Sequence, residues 1–215
     1  AEIDLGAYAH NLGVMRRIAD GSGVWVVVKA NAYGHGAVPI AREAVAAGVD
    51  GLCVALVSEG VELRRAGIDS PILIFSEQPE EEIDDIVGHG LTPTVYRTSY
   101  IERLADAVRR AASSQLDVHL KIDTGMHRAG ADPAEATRLV DLIARHDDAL
   151  RLAGVYTHFA AADMPAHPAN GAQTSLFNEV ISTLGDRIDG VALHAVNSAG
   201  AMTMPDQRRS FIRPG

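Results

Sequence analysis

The chain is poor in lysine. Its 215 residues hold only Lys29 and Lys121, against seventeen arginines. A solvated surface charge can be either residue, so so strong a bias leaves lysine where a guanidinium cannot serve. Arginine keeps its proton inside a protein, whereas a desolvated lysine can lose it and become a nucleophilic amine. Cysteine is nearly missing too. The single Cys53, in the apolar run from Gly51 to Leu56, excludes an internal disulfide. It reads as a small buried hydrophobe in a reducing compartment, so the expected location is cytoplasmic. No apolar run approaches the roughly 20 residues that cross a bilayer, and no secretory leader is visible. Basic runs are absent and the net charge is −9, so neither nucleic acid nor an anionic membrane is an expected partner. There is no Walker loop, and Gly21-Ser22-Gly23 precedes a strand-like run, which excludes a dinucleotide fingerprint. No paired-cysteine or H-E-x-x-H spacing is present. The residues a metal would have to use are His158, Asp163 and His167, and no metal is expected.

What the chain does have is regular alternation. Apolar, strand-like runs fall near residues 24–29, 51–57, 71–75, 92–96, 116–122, 152–158, 190–196 and 210–213, which makes eight. Between them lie stretches with helical period. Helix 6–20 carries Leu5, Tyr8, Leu12, Met15 and Ala19 and stops at Gly21. Helix 98–112 carries Ile101, Leu104, Ala105 and Val108. Helix 171–185 carries Leu176, Val180, Ile181 and Leu184. The sharpest helix start is Asp132-Pro133-Ala134-Glu135, with a capping acid, a proline at the first position and a glutamate at the third, ahead of Leu139, Val140 and Ile143. Strands alternating with helices imply a buried parallel sheet, and eight of them imply an α/β fold of the (β/α)8 barrel type. A doubly wound open sheet is the rival. Polar residues weigh against it: Lys29, Asp123, His158, Asn197 and Arg213 fall at the carboxyl ends of strands 1, 5, 6, 7 and 8. Only in a barrel are strands 1 and 8 neighbours, so that these side chains meet over one mouth. The chain is read as one domain over residues 1–215, cut from a longer protein where the eighth strand ends.

The strand ends carry the chemistry. Lys29 follows Val24-Trp25-Val26-Val27-Val28 and should be partly desolvated, which lowers an amine's pKa and frees it to attack a carbonyl. Tyr33 lies four residues on, where its hydroxyl reaches a phosphate or stays wet on a packed ring. Gly34-His35-Gly36 then offers backbone N–H groups to an anion at a helix start. Lys121-Ile122-Asp123-Thr124-Gly125-Met126-His127-Arg128 puts an acid, a glycine turn and an arginine at one strand end, which suits a carboxylate or phenolate, or is a salt-bridged turn. His158 could stack on a flat ring or relay protons. Asn197 and Ser198 sit where barrels often bind phosphate, and they equally suit a plain helix cap. Arg213 must be paired or meet a ligand if it points into the mouth.

Together these segments resemble one family. Val28-Lys29-Ala30-Asn31-Ala32-Tyr33-Gly34-His35-Gly36 resembles the pyridoxal-phosphate attachment motif of the alanine racemases. The segment 121–128 resembles that family's strand-5 motif. Thr157-His158-Phe159-Ala160 with Asp163, His194-Ala195-Val196-Asn197-Ser198 and Ile212-Arg213-Pro214-Gly215 follow in family order, so the likeness runs from Ile3 to Gly215. It implies an isomerase that interconverts L- and D-alanine with pyridoxal 5'-phosphate, supplying D-alanine for cell-wall peptidoglycan, and a homodimer for the full-length enzyme. By the same resemblance, Lys29 would bind the cofactor covalently and act as base on one face of the substrate α-carbon. Tyr33, Asn197, Ser198 and the Gly215 backbone would serve the phosphate. Arg213 would bond the pyridine nitrogen, Arg128 the phenolic oxygen, and His158 would lie near the ring and support Arg213. The family lysine matching Lys121 can be carbamylated, which turns a cation into an anion that orients Arg128.

The chain departs from the family at His127, usually glycine, and Ala129, usually a larger aliphatic residue. The family's second, mainly β domain, with the tyrosine that serves the other face of the α-carbon, is expected to be absent here, and racemisation needs proton transfer on both faces. The barrel alone is therefore expected to be inactive or weak. The alternative is a non-catalytic pyridoxal-phosphate-binding barrel, although such barrels lack the strand-5 and strand-6 motifs. A related barrel that decarboxylates basic amino acids would want acidic residues from a second domain.

Overall fold

A computed structural model describes residues 2–215. Its eight strands are β1 (Gly23–Val27), β2 (Gly51–Val54), β3 (Ile72–Ile74), β4 (Thr92–Val95), β5 (Leu116–Lys121), β6 (Leu150–Tyr156), β7 (Ala192–His194) and β8 (Phe211–Ile212). The helices are α1 (Leu5–Ala19), α2 (Ala37–Ala46), α3 (Val57–Arg65), α4 (Ile83–Gly88), α5 (Thr98–Arg110), α6 (Ala136–Arg145), α7 (Pro168–Leu184) and α8 (Ser198–Thr203). The strands pair in parallel in the order β7-β6-β5-β4-β3-β2-β1-β8. At the remaining seam Ser210 N donates to Leu193 O at 2.9 Å and Arg213 N to Val196 O at 3.0 Å. The sheet thus curls into a nearly closed (β/α)8 barrel, and the open-sheet alternative is excluded because β1 and β8 are hydrogen-bonded neighbours.

The strands form because they are short apolar runs with both faces covered. Every residue of β2, β3 and β4 is buried. Inside the barrel the filling is aromatic as well as aliphatic. Trp25 stacks on Phe211 at 4.8 Å between centroids, Phe211 on His194 at 4.1 Å, and His194 on Tyr156 at 4.4 Å. Two strand glycines make the room. A Cβ on Gly51 would stand 2.6 Å from the Trp25 ring, and one on Gly154 would stand 2.5 Å from His119 Nδ1, closer than a packed interior tolerates.

The helices follow their capping residues. Asp4 accepts from Ala7 N and starts α1, which ends where Asp20 turns left-handed. Asp132 accepts from Ala134 N, with Pro133 opening a 3-10 turn ahead of α6. Glu135 does not reach back to that cap; it pairs with Arg138 instead. α7 starts at Pro168, earlier than the expected 171, because His167 caps it and proline suits a first helical position. Its buried line is Asn170, Gln173, Phe177, Val180 and Leu184, so the expected Leu176 and Ile181 are only half-buried. Cys53 is wholly buried, and burial pushes its thiol up to about 12, so it stays protonated and packs as a hydrophobe. No helix among the described residues is long and apolar enough to cross a membrane.

Candidate functional site

Lys29, Tyr33, Lys121, Arg128, His158, Asn197, Ser198, Arg213 and Gly215, all read from the sequence, line a single cavity of ≈ 350 Å³ at the carboxyl ends of the strands. Val27, Phe75, Tyr156 and Ala199 complete its wall. Four of these side chains are lysine or arginine, and among the described residues no carboxylate side chain lines the cavity. In a chain of net charge −9, that gathers cations around a concave site and favours an anionic ligand.

Lys29 is aimed by an unusual backbone. Ala30, Asn31, Ala32 and Tyr33 all have φ between 50° and 54°, one turn of left-handed helix built without glycine. Each such residue costs about 1–2 kcal/mol relative to a right-handed one, so the turn persists only because its surroundings hold it. Glu59 Oε1 accepts from Ala30 N at 2.6 Å, while its other oxygen accepts from Ala55 N and Leu56 N at the start of α3. Asn31 Oδ1 accepts from Ala37 N at 2.7 Å and so caps α2. The turn sends Lys29 and Tyr33 to the same cavity, with Lys29 Nζ 5.9 Å from the Tyr33 ring centroid. The N–H groups of the Gly34-His35-Gly36 step are not offered to an anion, contrary to the sequence expectation. Gly34 and Gly36 donate to Asn31 O, and His35 to Ala32 O.

Arg213 is 2% exposed yet meets no carboxylate among its hydrogen-bond partners. Nη1 donates to His194 Nδ1 at 2.6 Å, and Nη2 lies 2.9 Å from Ala195 O, 3.1 Å from Thr157 O and 3.2 Å from His158 Nδ1. A guanidinium only donates, so both imidazoles must present a bare Nδ1. His194 therefore carries its proton on Nε2, 2.9 Å from His119 Nδ1, which must accept in turn. The charge of Arg213 is thus held by neutral acceptors and is not cancelled. Burial, then the cations Arg213, Lys121, Arg128 and Lys29, press His158 down to about 3. Burial also holds His119 down to about 4 and His194 well below its usual range.

Lys121 is 5% exposed. Its ammonium makes one long contact, 3.5 Å to Phe75 O, and lies 5.6 Å from the Tyr156 ring centroid. Burial, then Arg128 and Arg213, bring it down to about 8. Two residues on, Asp123 Oδ1 accepts from the N–H groups of Gly125, Met126 and His127, each at 3.0 Å. Burial alone would raise this carboxyl, but the three N–H groups hold it below its ordinary value. The turn places exposed Arg128 at the rim, and it bends through His127 at φ 55°, a conformation in which glycine costs least.

At the far side, Asn197 Oδ1 accepts from Gly200 N and caps α8, while Ser198 Oγ lies 3.1 Å from both Gly215 N and Gly215 O. A side chain at Gly215 would strike Val27 Cβ at 2.7 Å and Tyr33 at 3.2 Å, so only glycine lets that backbone close the cavity against Tyr33. Of the residues a metal would have to use, His158 Nδ1 faces Arg213 and His167 Nδ1 caps α7.

Comparisons with known proteins agree with this geometry. Residues 3–215 match the family model described as alanine racemase, N-terminal domain. The alanine racemase of Thermobifida fusca is 38% identical over 218 residues, covering 100% of this chain and 58% of the relative. That of Symbiobacterium thermophilum is 39% identical over 216 residues, covering 100% and 57%. Among solved structures, the Streptomyces coelicolor alanine racemase superposes with a TM-score of 0.92 at 37% identity, covering 99% of this chain and 57% of that one. The enzyme from Streptomyces lavendulae gives 0.93 at 33% identity, covering 99% and 56%. The chain spans a little over half the length of these relatives. It belongs to the alanine racemase family, and what it comprises is that family's N-terminal barrel.

Proposed function

We propose that this chain is the cofactor-binding barrel of a cytoplasmic, pyridoxal-phosphate-dependent enzyme that interconverts L- and D-alanine, the D form serving peptidoglycan synthesis. The observation that carries the reading is the cavity itself, lined by four cationic side chains and two aromatic rings beyond Tyr33, with an amine on one wall. A phosphorylated, phenolic, aromatic aldehyde fits that donor set, and the close approach of the Gly215 backbone to Tyr33 and Ser198 suits a phosphate held there. When bound, this cofactor supplies an electron sink for the substrate α-carbon.

The residues of the chain supply position and charge. Lys29 offers an amine for covalent attachment and takes or returns the α-proton on one face. Arg128 at the rim attracts the phenolic oxygen or the substrate carboxylate. Arg213, which keeps its charge at any working pH, would hold the ring nitrogen as a donor and would discourage its protonation. His158, neutral and anchored to Arg213, holds the guanidinium in that orientation. Tyr33, Asn197, Ser198 and Gly215 fix the phosphate end.

Lys121 has a second role in this proposal. At pH 8 about half of an amine with its pKa carries no proton. Its lone pair attacks carbon dioxide, an N–C bond forms, and a proton leaves to solvent. The product is a carbamate whose negative charge faces Arg128. Labelling with 13C-bicarbonate is expected to give a carbamate NMR resonance that disappears in Lys121→Ala. A native spectrum without that resonance overturns this part.

Racemisation needs a base on each face, and Lys29 serves one. We assign the other to a further domain that completes the site across a homodimer. Adding pyridoxal phosphate and either enantiomer of alanine in D2O tests the reading. The barrel alone is expected to exchange the α-proton slowly, with little inversion. Rapid inversion from both enantiomers would remove the need for a second base. Failure of the chain to take up pyridoxal phosphate at all would sink the cofactor assignment.

A further inference from the structure

Gln173 is a buried amide whose three hydrogen bonds reach two loops. It lies in the second turn of α7, is 1% exposed, and stands outside the cavity wall. Its Oε1 accepts from Ala160 N at 2.9 Å, and its Nε2 donates to His158 O at 3.0 Å and to Thr124 Oγ1 at 3.2 Å. The amide orientation is forced, because Ala160 N–H can only donate and His158 C=O can only accept. The contact to Thr124 sets a direction further on. Thr124 Oγ1 accepts from Gln173; Thr157 must donate its one proton to Ile122 O at 2.9 Å, so the Thr124 hydroxyl donates to Thr157 Oγ1 at 2.7 Å. Each hydroxyl has one proton, and this polarity alone satisfies every member. The chain of bonds joins α7 to the loop after β5, which carries Arg128, and to the loop after β6, which carries His158. Gly125 leaves room for it: a Cβ there would stand 3.3 Å from Gln173 Cγ, at a φ of 135°.

We propose that Gln173 is a positioning residue of the site, an amide clamp that ties the strand-5 and strand-6 loops together and so sets where Arg128 and His158 stand. The physical case is that a buried network with every donor and acceptor satisfied rigidifies what it joins, whereas one missing member leaves several groups unpaired. That Arg128 and His158 face a reacting molecule rests on the function proposed above; that Gln173 holds their loops does not.

The test is amide hydrogen exchange at pH 7.5, read by mass on peptides of the chain without any cofactor, comparing the native protein with Gln173→Leu and Gln173→Glu. Leucine removes all three bonds. Glutamate keeps the volume and the acceptor for Ala160 N but loses the donor to His158 O and Thr124. Once the clamp is cut, peptides covering the loops after β5 and β6, residues 123–130 and 157–163, are expected to exchange about tenfold faster or more in both variants. The strand-end amides of Val28, which donates to Cys53 O, and Phe75, which donates to Val54 O, should keep native protection in all three proteins and report an intact fold. Native exchange of both loops in both variants overturns the proposal. So does lost protection of the strands as well as the loops in both, because Gln173 would then support the barrel and not the loops. Pyridoxal phosphate uptake by the native chain is measured separately. Its failure would sink the function proposed above and leave the exchange result standing.

Discussion

Lys29→Arg is expected to reduce covalent capture of pyridoxal phosphate to background. Incubating the native chain with the cofactor and then with borohydride should fix one pyridoxyl group on the peptide that holds Lys29, readable by mass. The arginine variant keeps the charge and most of the length, so any purely electrostatic attraction of the phosphate survives. What it loses is the lone pair: a guanidinium does not deprotonate in a protein and cannot attack a carbonyl. Lys121 supplies the internal control. It lines the same cavity, and its amine is brought down to about 8 by burial and by Arg128 and Arg213. It is also 5% exposed, against the half-buried Lys29. If a lowered amine pKa were enough, the pyridoxyl group would appear on Lys121. If it follows placement, it appears on Lys29, which the left-handed turn brings alongside Tyr33. Label on Lys121 in the native chain, or undiminished label in Lys29→Arg, would refute the assignment. The same substitution should slow α-proton exchange in the complete enzyme by at least about a thousandfold, because removing an activated nucleophile and base at once forfeits both contributions.

The barrel was legible because its signal is repetitive. Eight short apolar runs alternating with amphipathic helices leave few topologies, and polar residues at the ends of runs 1, 5, 6, 7 and 8 chose the closed one. The cavity wall was legible where chemistry and strand end coincide, as at Lys29, Lys121, His158 and Arg213. Residues that act through the backbone were not. Glu59 reads as an ordinary acid in the first turn of a helix, and only the fold reveals that its carboxylate also holds Ala30 N. Gln173 sits where a helical period calls for an apolar residue, which was the available signal. The expectation of helix 171–185 passed over it by seeking leucine and valine. His119 and His194 lie inside strand runs, where the local pattern assigns their side chains no role. Their meaning depends on Arg213, 19 residues beyond His194 in sequence yet 2.6 Å away through the barrel. Phe75 and Tyr156 form cavity wall only because neighbouring strands converge there, which no local pattern encodes.

That imidazole chain should make the barrel acid-sensitive well above the usual carboxylate range. His119 is fully buried and held from 6.5 down to about 4, first by burial, with the Arg213 charge adding to it. His194 is held well below its usual range by burial, Arg213 and His119, and His158 is held at about 3. The sign follows from linkage. Below pH 6.5 the unfolded chain takes up protons that the folded barrel refuses, so stability is full above that pH and falls as pH drops toward the folded values. For His119 alone the loss between pH 6.5 and 4 is about 3 kcal/mol. Since small domains are held by only about 5–15 kcal/mol, three such groups in one core are enough to open it. Other titrations fall outside the window. Asp123 is held below its ordinary 3.8, so its stabilisation is lost only in stronger acid. Lys121, lowered from 10.5 to about 8, gives up its contribution as pH falls through that alkaline range and changes nothing further below it. Trp25, the single tryptophan, reports the event where it occurs: it stacks on Phe211 at 4.8 Å and lies 5.8 Å from the His119 ring. Its fluorescence in urea should show a midpoint that is steady above pH 7 and falls steeply between pH 6.5 and 4.5. A midpoint that stayed flat across that interval would mean the folded core accepts protons at the normal histidine pKa. It would then contradict the bare Nδ1 atoms that Arg213 requires of His194 and His158.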